Sequence, residues 1–399
     1  MPSPSAFDLA ARQIELDRAA TASIPALFDR KRARMLASPH ALLRGSAPLF
    51  YELLAAHPEL AAGPEGTGWI VGDMHLENVG AFRTDDDTIV FDLNDFDDGT
   101  IAPLRFDVLR VTTSVLLAAR SFRCTGADAI TMAERLLASY VRAAFEAGSD
   151  APPTPEPVAE LIHGASARSQ KQLLDDRAPL DKGKRRFVRG ERYMDVAPEL
   201  RAALDGMLKD YVHALGPRAP ARSSEWLIED AAFRVAGTGS LGSQRVAVLV
   251  REKSGDDRLL EFKEARPSSV ESARLGDRPE LALLKTPAAR VVAAARALLH
   301  DPARHLASLS GAGTSFIARK LFPQEDKLGI DRFKVGPRLD SVVQTIGYLL
   351  GRAHLREGAV IERPRVAWTQ ADTGAVLDHA IEIAGVFEAV YLAYARWKP

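Results

Sequence analysis

The stretch from Trp69 to Asp98 constrains this chain more than any other. Asp92-Leu93-Asn94-Asp95-Phe96-Asp97-Asp98 places four carboxylates in seven residues. Such groups repel one another strongly unless a cation or basic side chains neutralise them. Phe91, Leu93 and Phe96 interleave with the acids, so this loop is expected to lie against a core rather than in free solvent. Ahead of it, Val79-Gly80-Ala81-Phe82 and Thr88-Ile89-Val90-Phe91 read as the two strands of a hairpin. Arg83 to Asp87 is the polar turn between them, and Asp85-Asp86-Asp87 is read as that turn and nothing more. Ahead of the hairpin, Trp69-Ile70-Val71 reads as a short buried strand entering Gly72-Asp73-Met74-His75-Leu76-Glu77-Asn78. Alone, an Asp followed five residues later by an Asn is an Asx-rich turn. Next to a second acidic loop it becomes a candidate pair, because a carboxylate can accept a hydroxyl proton and an amide oxygen can ligate a hard cation without adding charge.

Composition supplies the outer bounds. A chain of 399 residues, 46% hydrophobic and 26% charged, can bury two or three domains or one large two-lobed domain, and is not disordered. Its 52 basic and 53 acidic residues give a net charge of -1, so bulk charge offers no case for a nucleic-acid partner. Cys124 is the only cysteine, so no disulfide framework or cysteine-based zinc site can form, and a reducing, cytoplasmic setting is expected. Met1 to Asp8 lack the pattern of a signal peptide, and no apolar run approaches the ~18 residues of a membrane span.

Periodicity predicts helices over 7–36, 46–60, within 104–147, and over 287–300, 339–356 and 374–396. Residues 150–157 are a Pro-rich connection. The charged run of 166–192, with Lys182-Gly183-Lys184-Arg185-Arg186, reads as a solvated surface loop, with a phosphate-contacting patch as the alternative. Strands are expected at 245–251, 258–263 and 315–321, and Phe233-Arg234-Val235-Ala236 leads into a glycine-rich turn.

That turn, Gly237-Thr238-Gly239-Ser240-Leu241-Gly242, has the Gly-x-Gly-x-x-Gly pattern. It lies between two strands, whereas a dinucleotide-binding turn needs a helix to follow at once. The alternatives are an ordinary flexible hairpin and a hairpin whose backbone approaches phosphates closely, which needs glycine at positive φ. About twenty residues further on, Leu259-Leu260-Glu261-Phe262-Lys263 is an alternating strand carrying one lysine. A strand lysine is usually an edge charge; its position after the glycine hairpin makes Lys263 a candidate for phosphate neutralisation. His75 and His354 are read as structural, and so is Asp107, which can cap a helix.

These segments resemble the parts of protein-kinase-like enzymes, in particular the aminoglycoside- and choline-kinase-like group. The resemblance implies that Asp73 accepts the acceptor's proton and that Asn78 holds magnesium together with Asp95 or Asp92. It also implies that Gly237, Gly239, Ser240 and Gly242 cover the ATP phosphates, that Lys263 pairs with them, and that Asp107 braces the catalytic loop. Two features depart from the pattern. The lysine's usual partner is a Glu on the following helix, but Val291 to Leu299 contains none; Glu271 and Glu280 are the upstream candidates. The order of parts is also reversed, since Asp73 precedes Gly237 and Lys263. The chain further resembles a bacterial family known as domain of unknown function 2252. That likeness is carried by Gly72–Gly80, Phe91–Asp98, Gly237–Ser243 and Lys263-Glu264-Ala265-Arg266-Pro267-Ser268.

The expected fold is therefore α+β: a protein-kinase-like two-lobed fold, circularly permuted. Residues 1–68 and 326–399 would contribute large-lobe helices, 69–222 the catalytic and metal loops with further helices, and 223–325 a β-rich nucleotide-binding lobe. The expected activity is ATP- and Mg2+-dependent phosphoryl transfer to an unidentified hydroxyl-bearing small molecule or protein, with neither nucleic acid nor membrane as partner. A nucleotide-binding pseudokinase and an adenylyltransferase using the same site are the alternatives. A metal-dependent hydrolase built on residues 92–98 would leave the glycine hairpin and Lys263 unexplained.

Overall fold

The computed structural model describes residues 4–397 except 85, 87, 147, 149, 221, 222, 254, 277, 304, 324, 325, 331 and 332. Asp85 and Asp87 of the expected hairpin turn, and Met1 to Ser3, therefore lie outside the described residues. The architecture is mixed α+β. The first part runs α1 (Ala6–Ala20), α2 (Leu27–Met35), α3 (Pro39–Gly45), α4 (Ala47–Ala56), α5 (Pro58–Ala61), β1 (Thr67–Ile70), β2 (Val79–Arg83), β3 (Ile89–Leu93), β4 (Thr100–Pro103), α6 (Arg105–Phe122) and α7 (Gly126–Phe145). The middle runs α8 (Glu156–Ser166), α9 (Gln170–Arg177), β5 (Leu180–Asp181), β6 (Lys184–Arg185), β7 (Tyr193–Met194), α10 (Pro198–Leu215), β8 (Leu227–Arg234), β9 (Arg245–Arg251) and β10 (Asp257–Glu264). The last part runs α11 (Ser269–Ser272), α12 (Pro287–Leu298), β11 (Ala307–Gly311), β12 (Thr314–Lys320), β13 (Asp326–Lys327), α13 (Pro337–His354), β14 (Val360–Glu362) and α14 (Gln370–Arg396).

Most expected elements fall within a few residues of their predicted bounds. The single helix expected over 7–36 is two, α1 and α2. Thr21 turns its hydroxyl back onto the Asp17 carbonyl at 2.8 Å, and Pro25, which lacks an N–H, cannot carry the ladder onward. Likewise α6 ends at Arg123, in the left-handed region at φ 56°, and a capping box of Thr125 and Asp128 starts α7. The charged run 166–192 is not simply a solvated loop. It contains α9, and Arg185 is buried between Asp175 at 2.8 Å and Asp257 at 3.5 Å. Asp257 belongs to a remote strand, so its partnership was not readable locally.

Both ends of the chain share one core. Ala10 and Ile14 of α1, Val108 to Val115 of α6, Leu136 and Tyr140 of α7, Val343 and Ile346 of α13, and Phe387 and Tyr394 of α14 bury against one another. Each fully buried Leu, Ile or Phe there contributes about 1.5–3 kcal/mol. Beside this helical half stands an antiparallel six-stranded sheet, ordered β11-β12-β10-β9-β8-β7. Strand alternation divides its two faces. Val246, Val248 and Val250 of β9 and Leu260 and Phe262 of β10 pack on Leu204, Met207 and Tyr211 of α10. The opposite face carries Leu249 and Leu259 under Leu174 and Phe187 at one end. At the other end the same alternation puts Glu261 and Lys263 in line with Leu259, with Arg245 directly opposite Lys263 and Arg319 directly opposite Glu261. This charged end of the sheet faces the helical half across a cleft. Among the described residues no helix is long and apolar enough to cross a membrane.

Candidate active site

The loop after β1 is fixed from below. The carboxylate of Asp107, in the first turn of α6, accepts the Val71 N–H at 2.6 Å and the Gly72 N–H at 2.8 Å. His354 Nε2 lies 3.1 Å from the same carboxylate, and the Tyr140 hydroxyl lies 3.1 Å from His354 Nδ1. Asp107 therefore ties down the strand-to-loop junction and does not cap its own helix, whose cap position, Leu104, has no side-chain bond. His354, at the end of α13, is a satisfied buried histidine. His75 is also buried: its Nδ1 accepts the Glu77 N–H at 3.2 Å, and desolvation holds the imidazole well below its ordinary pKa. Gly72 sits at φ 80°, and a Cβ there would strike the Asp98 carbonyl. Only glycine lets the two acidic loops run so close together.

Asp73 projects from this loop. Its Oδ1 accepts Arg110 Nε at 2.9 Å and a second bond from Arg110 Nη2. Arg110 is fully buried on α6, donates to the Leu43 carbonyl at 2.8 Å and lies 4.7 Å over the Phe50 ring. Burial pushes the Asp73 carboxyl up to about 7 against the pull of Arg110, and the nearby Asp98 and Asp95 add to the rise. Sequence reasoning missed Arg110. The available signal was an arginine inside a strongly apolar helix, one turn after Asp107, where a buried cation needs a partner.

Asn78 is buried, and its Nδ2 donates to the main-chain carbonyls of Asp73 at 3.0 Å and Asp95 at 3.2 Å. The amide thus joins both loops, with its nitrogen committed and its oxygen on the other edge. Lys263 Nζ stands 3.5 Å from Asp95 Oδ1 and forms an ion pair with Asp97, while Lys327 Nζ is 3.7 Å from Asp95 Oδ2. Burial alone would raise Asp95, but Lys263, Lys327, Arg245 and Arg319 outweigh it and hold Asp95 well below the usual carboxylate range. Asp97 moves the other way, through burial and repulsion by Asp95. Asp92 is placed apart from these groups. It is not among the described residues lining the cleft, its Oδ1 accepts the Leu93 N–H at 2.8 Å, and the cations that pull on it are Arg352 and Arg356. Burial raises it to about 6. Neither upstream glutamate meets Lys263. Glu271 accepts from Thr100 Oγ1 at 2.6 Å and lies 3.6 Å from Arg290, and Glu280 is exposed.

The glycine segment, residues 237–242, links β8 to β9, with Gly237 at φ 80° and Gly242 at φ 101°, and its residues 237–240 line the same cleft. It reaches across to the helical half: a methyl group on Gly239 would come within 3.9 Å of Asp73 Oδ2. Ser240 Oγ accepts Arg245 Nη2 at 3.2 Å. Behind it, one buried carboxylate, Glu261, serves three guanidiniums. Arg234 is bonded to it, Arg319 lies at 3.4 Å and Arg245 at 4.0 Å. Burial would raise Glu261, but the arginines hold it well below the usual range. Three guanidiniums thus gather on one carboxylate at that end of the sheet, beside the glycines. None of these arginines was singled out from sequence, because what gathers them is strand register.

Asp73, Asn78, Asp95, Asp97, Lys263 and residues 237–240 thus line one cavity of about 1340 Å³ between the sheet and the helical half, whereas Gly242, expected to cover phosphates, is outside that lining and packs against Ala20. Among the described residues no group of three or more His, Cys, Asp or Glu forms a metal cage. No curated protein and no solved structure gives a match to the chain. Residues 23–396 match the family described as "Uncharacterized protein conserved in bacteria (DUF2252)", and the chain belongs to that family.

Proposed function

We propose that this chain is an ATP- and Mg2+-dependent phosphotransferase with a kinase-like, circularly permuted arrangement of parts, acting on a hydroxyl-bearing acceptor. One observation carries the reading: Lys263, from the middle of the sheet, meets Asp95 and Asp97 in the cleft that also holds Asp73, Asn78 and residues 237–240 of the glycine segment. Groups far apart in sequence thereby form one site with cations above and oxygen donors below. Read from Gly237 through the C-terminus and on from residue 1, their order is glycine hairpin, lysine strand, helices, proton-accepting Asp and metal loop. Surface termini make such a permutation physically accessible.

The donor set suits a magnesium ion. Asp95, Asp97 and the Asn78 carboxamide are hard oxygen ligands, and magnesium is commonly held by one or two carboxylates together with the substrate's own phosphates, without a full protein cage. When bound, the ion would neutralise charge on the phosphates. Lys263 would exchange its carboxylate partners for phosphate oxygens, and Arg245 and Ser240 would flank them. With Oδ1 taken by Arg110, Asp73 offers Oδ2 to the acceptor hydroxyl. The acceptor oxygen bonds to the γ-phosphorus, the bond to the ADP oxygen breaks, and the hydroxyl proton passes to Asp73. A carboxyl raised to about 7 by burial is suited to accepting that proton near neutral pH. Asp95 is favoured over Asp92 as the metal ligand, because Asp92 is outside the described cleft lining.

Calorimetric titration of Mg-ATP into the parent and Lys263→Ala proteins tests the reading, followed by mass spectrometry of nucleotide and protein products. Binding by the parent, weakened at least tenfold in the variant, with ADP as product, is expected. AMP-modified product with pyrophosphate would make it an adenylyltransferase. Binding without any product would make it a pseudokinase-like nucleotide-binding module. No binding by the parent would end the proposal.

A further inference from the structure

The glycine segment is held from outside the sheet by a part of the chain that the nucleotide reading does not use. Arg34 of α2 donates to the Gly237 carbonyl, Lys31 of α2 donates to the Gly239 carbonyl at 3.1 Å, and Ser23, between α1 and α2, donates to the Gly242 carbonyl at 3.2 Å. A Cβ on Gly242 would strike the Ala20 carbonyl, so the segment is pressed against the end of α1. Among the described residues, the N–H groups of Gly237, Thr238, Gly239, Ser240 and Gly242 donate to no protein group. In a trans peptide the C=O and the next N–H point in opposite directions. With the Gly237 and Gly239 carbonyls turned to the arm, the Thr238 and Ser240 N–H groups point away from it.

The clamp is built, not incidental. Lys31 is buried, 3.2 Å from Asp17 Oδ1. Asp17 is itself fully buried and accepts Gln13 Nε2 at 2.9 Å and the Tyr394 hydroxyl of α14 at 2.7 Å. Burying a lone ion pair is costly and is often retained for register rather than stability. Arg34 has no carboxylate partner among the described residues, and it lies close enough to Arg30 to be repelled by it.

We infer that the N-terminal arm, through Lys31 and Arg34, holds the glycine segment in a phosphate-receiving conformation, with carbonyls drawn back and N–H groups free for an anion. This rests on the nucleotide reading for the identity of the anion, a polyphosphate, but not for the polarity of the loop. Lys31 and Arg34 are positioning residues.

The test compares the parent with Arg34→Met, Arg34→Lys and the paired Asp17→Asn/Lys31→Met variant, which leaves no buried charge behind. Calorimetry with Mg-ATP, magnesium tripolyphosphate and adenosine is read beside urea unfolding. Arg34→Met and the paired variant are expected to weaken both phosphate ligands at least tenfold and adenosine less than twofold, with Arg34→Lys recovering most of the loss. If the paired variant fails to fold, Arg34→Met, whose side chain leaves no buried partner, decides alone. Phosphate affinities within twofold of the parent in Arg34→Met overturn the inference while the nucleotide reading stands. A parent that binds tripolyphosphate but not ATP overturns the nucleotide reading and leaves the arm comparison intact. A parent that binds neither overturns both.

Discussion

Lys263 Nζ lies 3.5 Å from Asp95 Oδ1 and is paired with Asp97, so one ammonium joins the middle strand of the six-stranded sheet to the acidic loop of the helical half. Lys263 is buried and the two carboxylates are partly open to the cleft. Without nucleotide, the two halves should therefore be energetically coupled at this point. A double-mutant cycle of Lys263→Met and Asp97→Asn, followed by urea unfolding, should return a coupling of about 1–3 kcal/mol. Additive effects of the two changes would mean the pair does not join the halves.

Asp73→Asn should separate binding from chemistry. It removes the carboxylate that would take the acceptor proton but keeps an oxygen for Arg110. We expect ADP release from Mg-ATP to fall about 10²–10⁴-fold, while the calorimetric affinity for Mg-ATP stays within threefold. Turnover equal to the parent's would remove Asp73 from that role.

Asp92 gives a pH signature. Burial raises its folded pKa to about 6 from an ordinary value of 3.8. The proton is thus held more tightly in the folded protein. This contribution to stability is fully present below pH 3.8 and is lost as pH rises through 6. Asp92→Asn, which is neutral throughout and retains an acceptor for the Leu93 N–H, escapes that loss. A shift of this size corresponds to at most about 3 kcal/mol, and partial exposure reduces the expected gain at pH 8 to about 1 kcal/mol. The gain should vanish near pH 4, and Mg-ATP affinity should not change. Loss of Mg-ATP affinity would return Asp92 to the metal site.

Asp107→Ala strands the Val71 and Gly72 N–H groups and frees His354. Unsatisfied buried groups cost about 1–3 kcal/mol each, so a total near 4 kcal/mol is expected by urea denaturation. A loss below about 1 kcal/mol would show that the loop is held by other contacts.

Much of the machinery was legible in the sequence for a physical reason. The strands β2, β3, β9, β10 and β12 announce themselves by short apolar runs between turn residues, and the unusual acid density at 92–98 marks a loop that needs cations. Local pattern failed where a residue's meaning comes from a remote partner. Arg110 looks like an interruption in an apolar helix until Asp73 is placed beside it. Lys31 and Arg34 look like surface charges on a short helix until the glycine carbonyls arrive. Helix α10 and strand β11 went unread, although α10 covers one whole face of the sheet. Asp92 and Asp95 were indistinguishable by spacing, because three residues along a strand end decide which side of the cleft wall each carboxylate occupies.

The amino-acid order alone determined which chemical groups this protein has available: two acidic loops around a hairpin, a glycine turn between strands, and a lysine on an alternating strand. These are properties of neighbouring residues, and period and turn chemistry express them directly. Only the tertiary structure decided that Lys263 faces Asp95 and Asp97, that three arginines converge on Glu261, and that Lys31 and Arg34 reach the glycine carbonyls. Those relationships depend on strand register and on burial shared by segments hundreds of residues apart, where a step of one position along a strand would turn Lys263 from the cleft into the core beneath α10.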